Sequence, residues 1–555
     1  TTSENTGVGA GALNGNTGGC NTGVGSSALE NVTGNNNTAV GQRALYLNNS
    51  GAANTAVGQG ALDANTTGGD HTAVGRNALG ANTTSSSNAA FGGNALATNT
   101  TGNFNTAVGY DALLSNTTAA NNTAVGTNSM RLNTTGASNV AIGHNALDAN
   151  TTGGNNIAIG DNALGANTTN TTNLAIGASA LLANNGSGDN MAIGQQAASS
   201  NLNGFHVTAI GHYSLLSNTS AQGNTAVGHS ALYSNTTGSP NTAVGKQALC
   251  KNTTGAGNVA VGYAALCLNT TAGGNTAVGL NSLLSTTTGA SNTAVGCGSL
   301  QANTTGTENV AVGQLALTTN TTGDENTAVG RYSLGANTTG EKNTALGHST
   351  VENNTTGDFN VGIGHGALQA NTTADNNTAV GYQSLDANTD GHSNTAVGKG
   401  SLGANTTGDQ NTAVGYNAGT ANTTGAENVA VGYGALQTNT TATKNVAVGL
   451  QALNSTTTGY QNLAVGRRAG LSNTTGNNNV LVGHCAGHNI TEGGQNINIG
   501  GNTTVASATA SYSLVIGYNI VGKGANTGYI APDGTSSSGI YQGNNSSSWS
   551  TTSDK

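Results

Sequence analysis

Short apolar triplets alternate with runs of Asn, Thr and Gly along this chain, and they do so at a fixed interval. The string Asn-Thr-Ala-Val-Gly recurs with its Gly at Gly41, Gly58, Gly75, Gly92 and onward to Gly517. Twenty-eight successive steps of 17 residues separate Gly41 from Gly517 without an insertion, and two steps of 16 through Gly9 and Gly25 precede them. Repetition at a constant period signals stacked repeats. Thr, Val, Asn and Gly are poor helix formers, which argues against helices. Strands of three to five residues joined at Asn and Gly corners fit every position. The prediction is an all-β, parallel β-solenoid (a β-roll) of about 31 coils. A one-residue slip in a stacked strand sends every side chain to the opposite face, whereas independent beads tolerate loop insertions. The unbroken period therefore predicts in-register stacking.

Positions are numbered here from the motif Gly as 0. Position −1 is Val or Ile almost throughout, as at Val40 and Val57, and position −3 is Thr or, at Val140, Ile157, Leu174 and Met191, apolar. Strand alternation assigns −3 and −1 to the buried face. Ala at −2 and the motif Gly (Gly41, Gly58, Gly75) then face the other way, small enough for a neighbouring backbone to approach. A second short strand is predicted at +3 and +4, with Leu45 and Leu62 turned inward. Asn recurs at +7 (Asn65, Asn82) and at −4. Asn tolerates left-handed turns, and stacked amides can bond to the same Asn above and below, so these residues mark two laddered corners. Positions +1, +2, +5, +6, +11 and +12 carry most charged and aromatic residues and form the outer surface. A 17-residue coil filled with Ala, Val and Leu encloses a thin core. Three parallel chains packed through Ala −2 and the motif Gly are expected to supply the missing burial. Residues 1–517 read as the repeat shaft. Residues 518–555, where the period stops and Ile520, Tyr529, Tyr541 and Trp549 appear, read as a closing cap.

Composition narrows the function. Only 6% of residues are charged and 3% aromatic, with 87 Gly and two Pro, which is too biased for an ordinary globular core. The formal charge of −9 comes without a basic stripe, arguing against nucleic acid. No run of 18 apolar residues predicts a membrane span. Six of ten His fall at +1: His144, His212, His229, His348, His365 and His484. The pairs one coil apart are expected to stack; a transition-metal ladder is weighed against a tolerant outward position, and the second explains the mixture of residues found there. Tyr at +1 (Tyr110, Tyr263, Tyr382, Tyr416, Tyr433, Tyr518) reads as scattered and exposed. Acidic residues show no fixed position, against calcium. The Asn-Thr-Thr sequons are explained by the corners. No nucleophile–base pair recurs, so no enzyme and no cofactor are expected. Cys250 and Cys267 share position +5 on adjacent coils, ~4.8 Å apart, and read as stacked, mostly reduced, outward-facing thiols, with a structural disulfide as the alternative.

The segments Asn139-Val140-Ala141-Ile142-Gly143 and Asn156-Ile157-Ala158-Ile159-Gly160 resemble the head repeat of trimeric autotransporter adhesins. That likeness implies a left-handed roll packed as a homotrimer; the longer 17-residue coil departs from it through the added Asn-Thr-Thr-Gly corner. The tail Gly543-Asn544-Asn545-Ser546-Ser547-Ser548-Trp549-Ser550-Thr551-Thr552-Ser553-Asp554-Lys555 resembles the junction where an endosialidase-type intramolecular chaperone begins. The match rests on Ser553 and Asp554, and it implies a self-cleavage junction there. The Lys that family uses to assist its Ser has no counterpart here.

The expectation is a structural fibre shaft of a phage or virus, extracellular, used for host attachment, with itself as partner and a host cell-surface receptor or glycan as ligand. A bacterial surface or secreted trimeric adhesin is the alternative. An ice-binding solenoid built on Thr rows is a third reading, opposed by Val and Ile at −3, which argue that −3 points inward.

Overall fold

A computed structural model describes residues 4–534, 539–543 and 547–551. The chain divides between Asn275 and Thr276 into two units. The first holds strands β1 (Thr6–Val8) to β16 (Val259–Val261), and the second β17 (Thr276–Val278) to β34 (Ser550–Thr551). The described residues contain no helix. Up to β30 (Ile497–Ile499) each strand is the triplet from −3 to −1. Within each unit neighbouring triplets pair in parallel and in register, as Thr38↔Thr55, Ala39↔Ala56 and Val40↔Val57 do. The chain is a parallel β-solenoid of about 31 turns with the 17-residue period.

Register is as expected; the faces are not. Ala39, Ala56 and Ala73 at −2 are fully buried, with Leu45 and Leu62 at +4. Val40 at −1 is 37% exposed, and Val57 and the Thr at −3 are partly exposed. The expectation of a buried −3/−1 face is therefore reversed. The reason is volume. The interior is closed by the Leu row opposite the strand, which leaves room for little more than a methyl at −2. One coil confirms this by compensation: Leu481 stands at −2, and the +4 residues beside it are Gly470 and Gly487, where an added Cβ would lie 2.6 Å from Leu481. A large side chain at Ala56 would meet the chain's own Leu row rather than a neighbouring chain.

The opposite case leaves a defect. Gly419 is at +4, but Ala413 and Ala430 remain at −2, and a cavity of about 10 Å3 persists between Leu402, Ala413, Gly419 and Leu436. Gly419→Leu restores the residue that the neighbouring coils carry and is expected to stabilise this coil by about 0.5–2 kcal/mol. Slower amide exchange in residues 413–436 is the measurement; unchanged or faster exchange would contradict it.

The predicted second strand is absent, and a turn segment runs from the motif Gly to +6. Its conformation is left-handed at alternate residues, with φ 58° at Arg43 and 54° at both Leu45 and Leu62. A left-handed L-residue costs roughly 1–2 kcal/mol. Burying a Leu side chain contributes about 1.5–3 kcal/mol, which offsets that cost. The bend also lets backbone groups bond along the stack: Leu62 N–H donates to Ala78 O (3.0 Å) and Asn77 N–H to Gln59 O (3.0 Å), so the turns are laddered like the strands.

After β31 (Leu514–Tyr518) the repeat ends. β32 (Gly528–Asp533) still pairs in parallel with β31, but with a register shift at Gly517/Tyr518. β33 (Ile540–Gln542) and β34 run antiparallel. Val515, Ile520, Tyr529 and Ala531 form a small core with Tyr541 packed against it, while Val521 and Trp549 are exposed.

Candidate functional site

Two interior ladders run through most coils, and both corners expected from Asn are present. Asn65 Nδ2 donates to Asn48 Oδ1 (2.7 Å) and to Gly68 O (2.9 Å), and Asn82 Nδ2 donates to Asn65 Oδ1 (2.8 Å). At −4 the pattern differs: the backbone N–H of Asn54 donates to Asn37 Oδ1 (3.0 Å), and Asn54 Nδ2 donates to Gly68 O (3.0 Å). Both rows are buried. Neither row adopts positive φ. The left-handed positions are instead −5, 0, +2 and +4, as at Asp70, Gly75, Asn77 and Leu79.

His71 occupies one −4 position and copies the Asn pattern. Its Nδ1 accepts the N–H of Asn88 (3.2 Å), and Nε2 lies 2.7 Å from Ser85 O, which makes Nε2 the protonated nitrogen. Burial holds its pKa below the ordinary His value. The folded coil thus keeps His71 neutral, while the unfolded chain takes up a proton below about pH 6.5. This stability is fully present above that pH and is lost as pH falls below it. His71→Asn is expected to abolish the acid-induced fall in the amide protection factors (exchange relative to the intrinsic rate at each pH) of residues 71–88 between pH 7.5 and 5. An equal fall in protection in the variant would show that His71 is not the cause.

Outside the coil, the motif glycines Gly41, Gly58 and Gly75 have φ of 135–137° and pack against the next motif Gly along the stack. A third, intermittent ladder lies at −6. Asp358 Oδ1 accepts from Glu341 N–H (2.7 Å), Asp375 Oδ1 from Asp358 N–H (2.8 Å), His392 Nδ1 from Asp375 N–H (2.9 Å) and Asp409 Oδ1 from His392 N–H (2.7 Å). Acidic residues therefore do recur at one position in these coils, contrary to the sequence reading, where their side chains accept that N–H. Among the described residues no group of three or more His, Cys, Asp or Glu is arranged to hold a metal ion.

The +1 position forms an exposed column. In the second unit His348 and His365 stack with ring centroids 5.1 Å apart and 8° between planes, and His365 stacks on Tyr382 at 5.5 Å and 17°. Lys399 Nζ lies 5.4 Å from the Tyr382 ring and 5.9 Å from the Tyr416 ring, and Tyr416 stacks on Tyr433 at 5.3 Å and 9°. These Tyr residues are not scattered. Counting at the 17-residue interval exposes the column, but the separation of its members in sequence hides it. The other expected pair does not stack: Tyr213 stands edge-on to both His212 (6.4 Å) and His229 (5.8 Å).

Cys250 and Cys267 are free and half-buried. A hydrogen bond from Cys267 draws the Cys250 thiol down to about 7 and pushes Cys267 up. In the first unit a groove of about 420 Å3 runs between positions −5 and −3, lined by Thr172, Leu174, Asp189, Met191, His206 and Thr208. It borders Val207, which replaces the −4 Asn. Ser553 and Asp554 lie outside the described residues. No protein-family model matches this chain, and no curated protein is significantly similar to it.

Proposed function

We propose that this chain is the shaft of a trimeric extracellular fibre, of the kind a phage or virus uses to reach its host, with a structural rather than a catalytic role. The observation that carries the reading is the outward row at −1. Val40, Val108, Val244, Val295, Val312 and Ile363, spread over both units, are each 36–37% exposed. A row of half-exposed Val and Ile repeated along the stack, flanked by Thr at −3 in most coils, marks an association face. A triplet about 10 Å wide, repeated over some fifteen coils at ~4.8 Å, gives roughly 700 Å2 in each unit. That is close to the ~800 Å2 per partner of a stable interface. The packing face is thus −3/−1, in place of the Ala −2 and motif Gly face expected from sequence. A bacterial surface adhesin would use the same assembly. Release of a C-terminal chaperone at Ser553 and Asp554 belongs to this reading, and a coding sequence that stops at Lys555 would remove it.

Sedimentation equilibrium is expected to give three times the 53.9 kDa chain mass. Val295→Lys combined with Val312→Lys should shift the protein toward monomer. A monomeric wild-type chain would sink the proposal.

The outward Thr at −3 favours a second reading, ice binding, since it removes the objection that −3 points inward. Thr38, Thr55 and Thr72 form one such row, but Leu174 and Met191 interrupt it. Thermal hysteresis in a cooled solution would decide for ice.

A further inference from the structure

We propose that the +1 column from His348 to Tyr433 is a track for a linear anionic polysaccharide lying along the stack. Six consecutive coils contribute His348, His365, Tyr382, Lys399, Tyr416 and Tyr433, and Arg331 precedes them in the same row. All six are exposed. On a chain whose formal charge is −9, this row contains no carboxylate, and neither does the adjacent +2 row, with Ser349, Gly366, Gln383, Gly400, Asn417 and Gly434. The carboxylates of these coils are placed elsewhere. Asp358, Asp375 and Asp409 accept backbone N–H groups at −6. At +5, Glu352 accepts from Gln369 Nε2 (2.8 Å), and Asp386 is partly buried.

The geometry selects the class of ligand. Between His348 and Tyr433 the inner ring faces are stacked on one another or covered by Lys399, so the column offers solvent chiefly its ring edges, Tyr hydroxyls, imidazole nitrogens and one ammonium. Single-stranded nucleic acid needs successive free ring faces on which its bases can stack, and within the column these are occupied. An acidic peptide in extended form advances ~3.3 Å per residue and falls out of phase with rungs ~4.8 Å apart. A chain of pyranose rings advances by a distance on the order of one rung. It also presents hydroxyls and carboxylates as acceptors at each step, and its anionic groups gain charge-assisted hydrogen bonds. On the fibre reading this track is where a host-surface glycan would lie, but the binding itself does not depend on that reading and is tested on the purified chain alone.

The probe is polygalacturonate, with neutral dextran, polyglutamate and a single-stranded oligonucleotide for comparison, measured by titration calorimetry at low salt. Polygalacturonate is expected to bind more tightly than all three. Lys399→Gln should weaken it about tenfold, the loss of one charge-assisted contact; Tyr416→Ala should weaken it as well. Lys444→Gln, an equal charge change at position −5, should leave it unaltered. Lys399 is exposed, so its replacement does not threaten the fold, and an unchanged melting curve verifies this. Three outcomes overturn the proposal: polygalacturonate binding no tighter than dextran, equal weakening by Lys399→Gln and Lys444→Gln, or polyglutamate or oligonucleotide binding with the same dependence on Lys399.

Discussion

Gly143→Ala is expected to disrupt the stack at its own coil by about 3 kcal/mol or more, the range reserved for a strained backbone combined with a steric clash. Two causes act together. The residue has φ of 140°, a conformation open to Gly alone. A Cβ built there would lie 2.5 Å from Gly160 O and 2.6 Å from Gly160 C, backbone atoms of the next coil that cannot rotate away. The neighbour must shift, and with it the bond from Gly160 N–H to Ile142 O (2.8 Å). Stability in a stacked repeat is nearly a sum over coils and their interfaces, so the lesion should be local. Amide exchange of residues 140–163 should accelerate strongly while distant coils keep wild-type rates. Uniform exchange along the whole chain, or no change at Gly160, would show that the motif Gly is not required by this contact. Gly93→Ala at +1 serves as control, because its Cβ would meet the side chain of Tyr110 at 3.3 Å rather than backbone.

Replacing Asn65 by Ala is expected to cost roughly 3–5 kcal/mol, because three hydrogen bonds are lost and buried polar atoms are orphaned. Asn65 donates twice, to Asn48 and Gly68, and accepts once, from Asn82, all without access to water. Asn65→Thr separates hydrogen bonding from volume. Thr occurs naturally at this position in Thr456, and there Asn473 Nδ2 donates to its Oγ1 (3.3 Å). The Thr variant should therefore keep one ladder contact and lose less than half as much stability as Ala. Exchange rates of residues 62–85 report both. Equal losses for Thr and Ala would mean that the ladder acts through packing alone.

Much of the architecture was legible at the level of residues. The 17-residue interval implies stacked coils, since one inserted residue would invert every face downstream. Leu45 and Leu62 are the only large apolar residues that recur in the turn, so their burial follows. Asn65 and Asn82 recur where a polar side chain can survive inside only by bonding to its copies, and they do. Less legible were the left-handed Leu residues. A bulky L-residue at φ of 54° contradicts ordinary backbone preference, and it is tolerated here only because burial of the side chain and bonding to the neighbouring coils compensate.

By itself the sequence determined the period, the parallel register, the inward Leu and both Asn ladders, because each depends only on what repeats and how often. Which face of the Thr-Ala-Val triplet points inward was decided by tertiary structure. Alternation allows either face, and hydrophobicity alone favours burying Val40 and Val57 over Ala39 and Ala56. The closed coil overrules it: with the Leu row already in place, the space opposite admits only a methyl, so Ala goes in and Val is turned out. The same holds for the +1 column, whose members, 17 residues apart in the chain, become neighbours only once the coils stack.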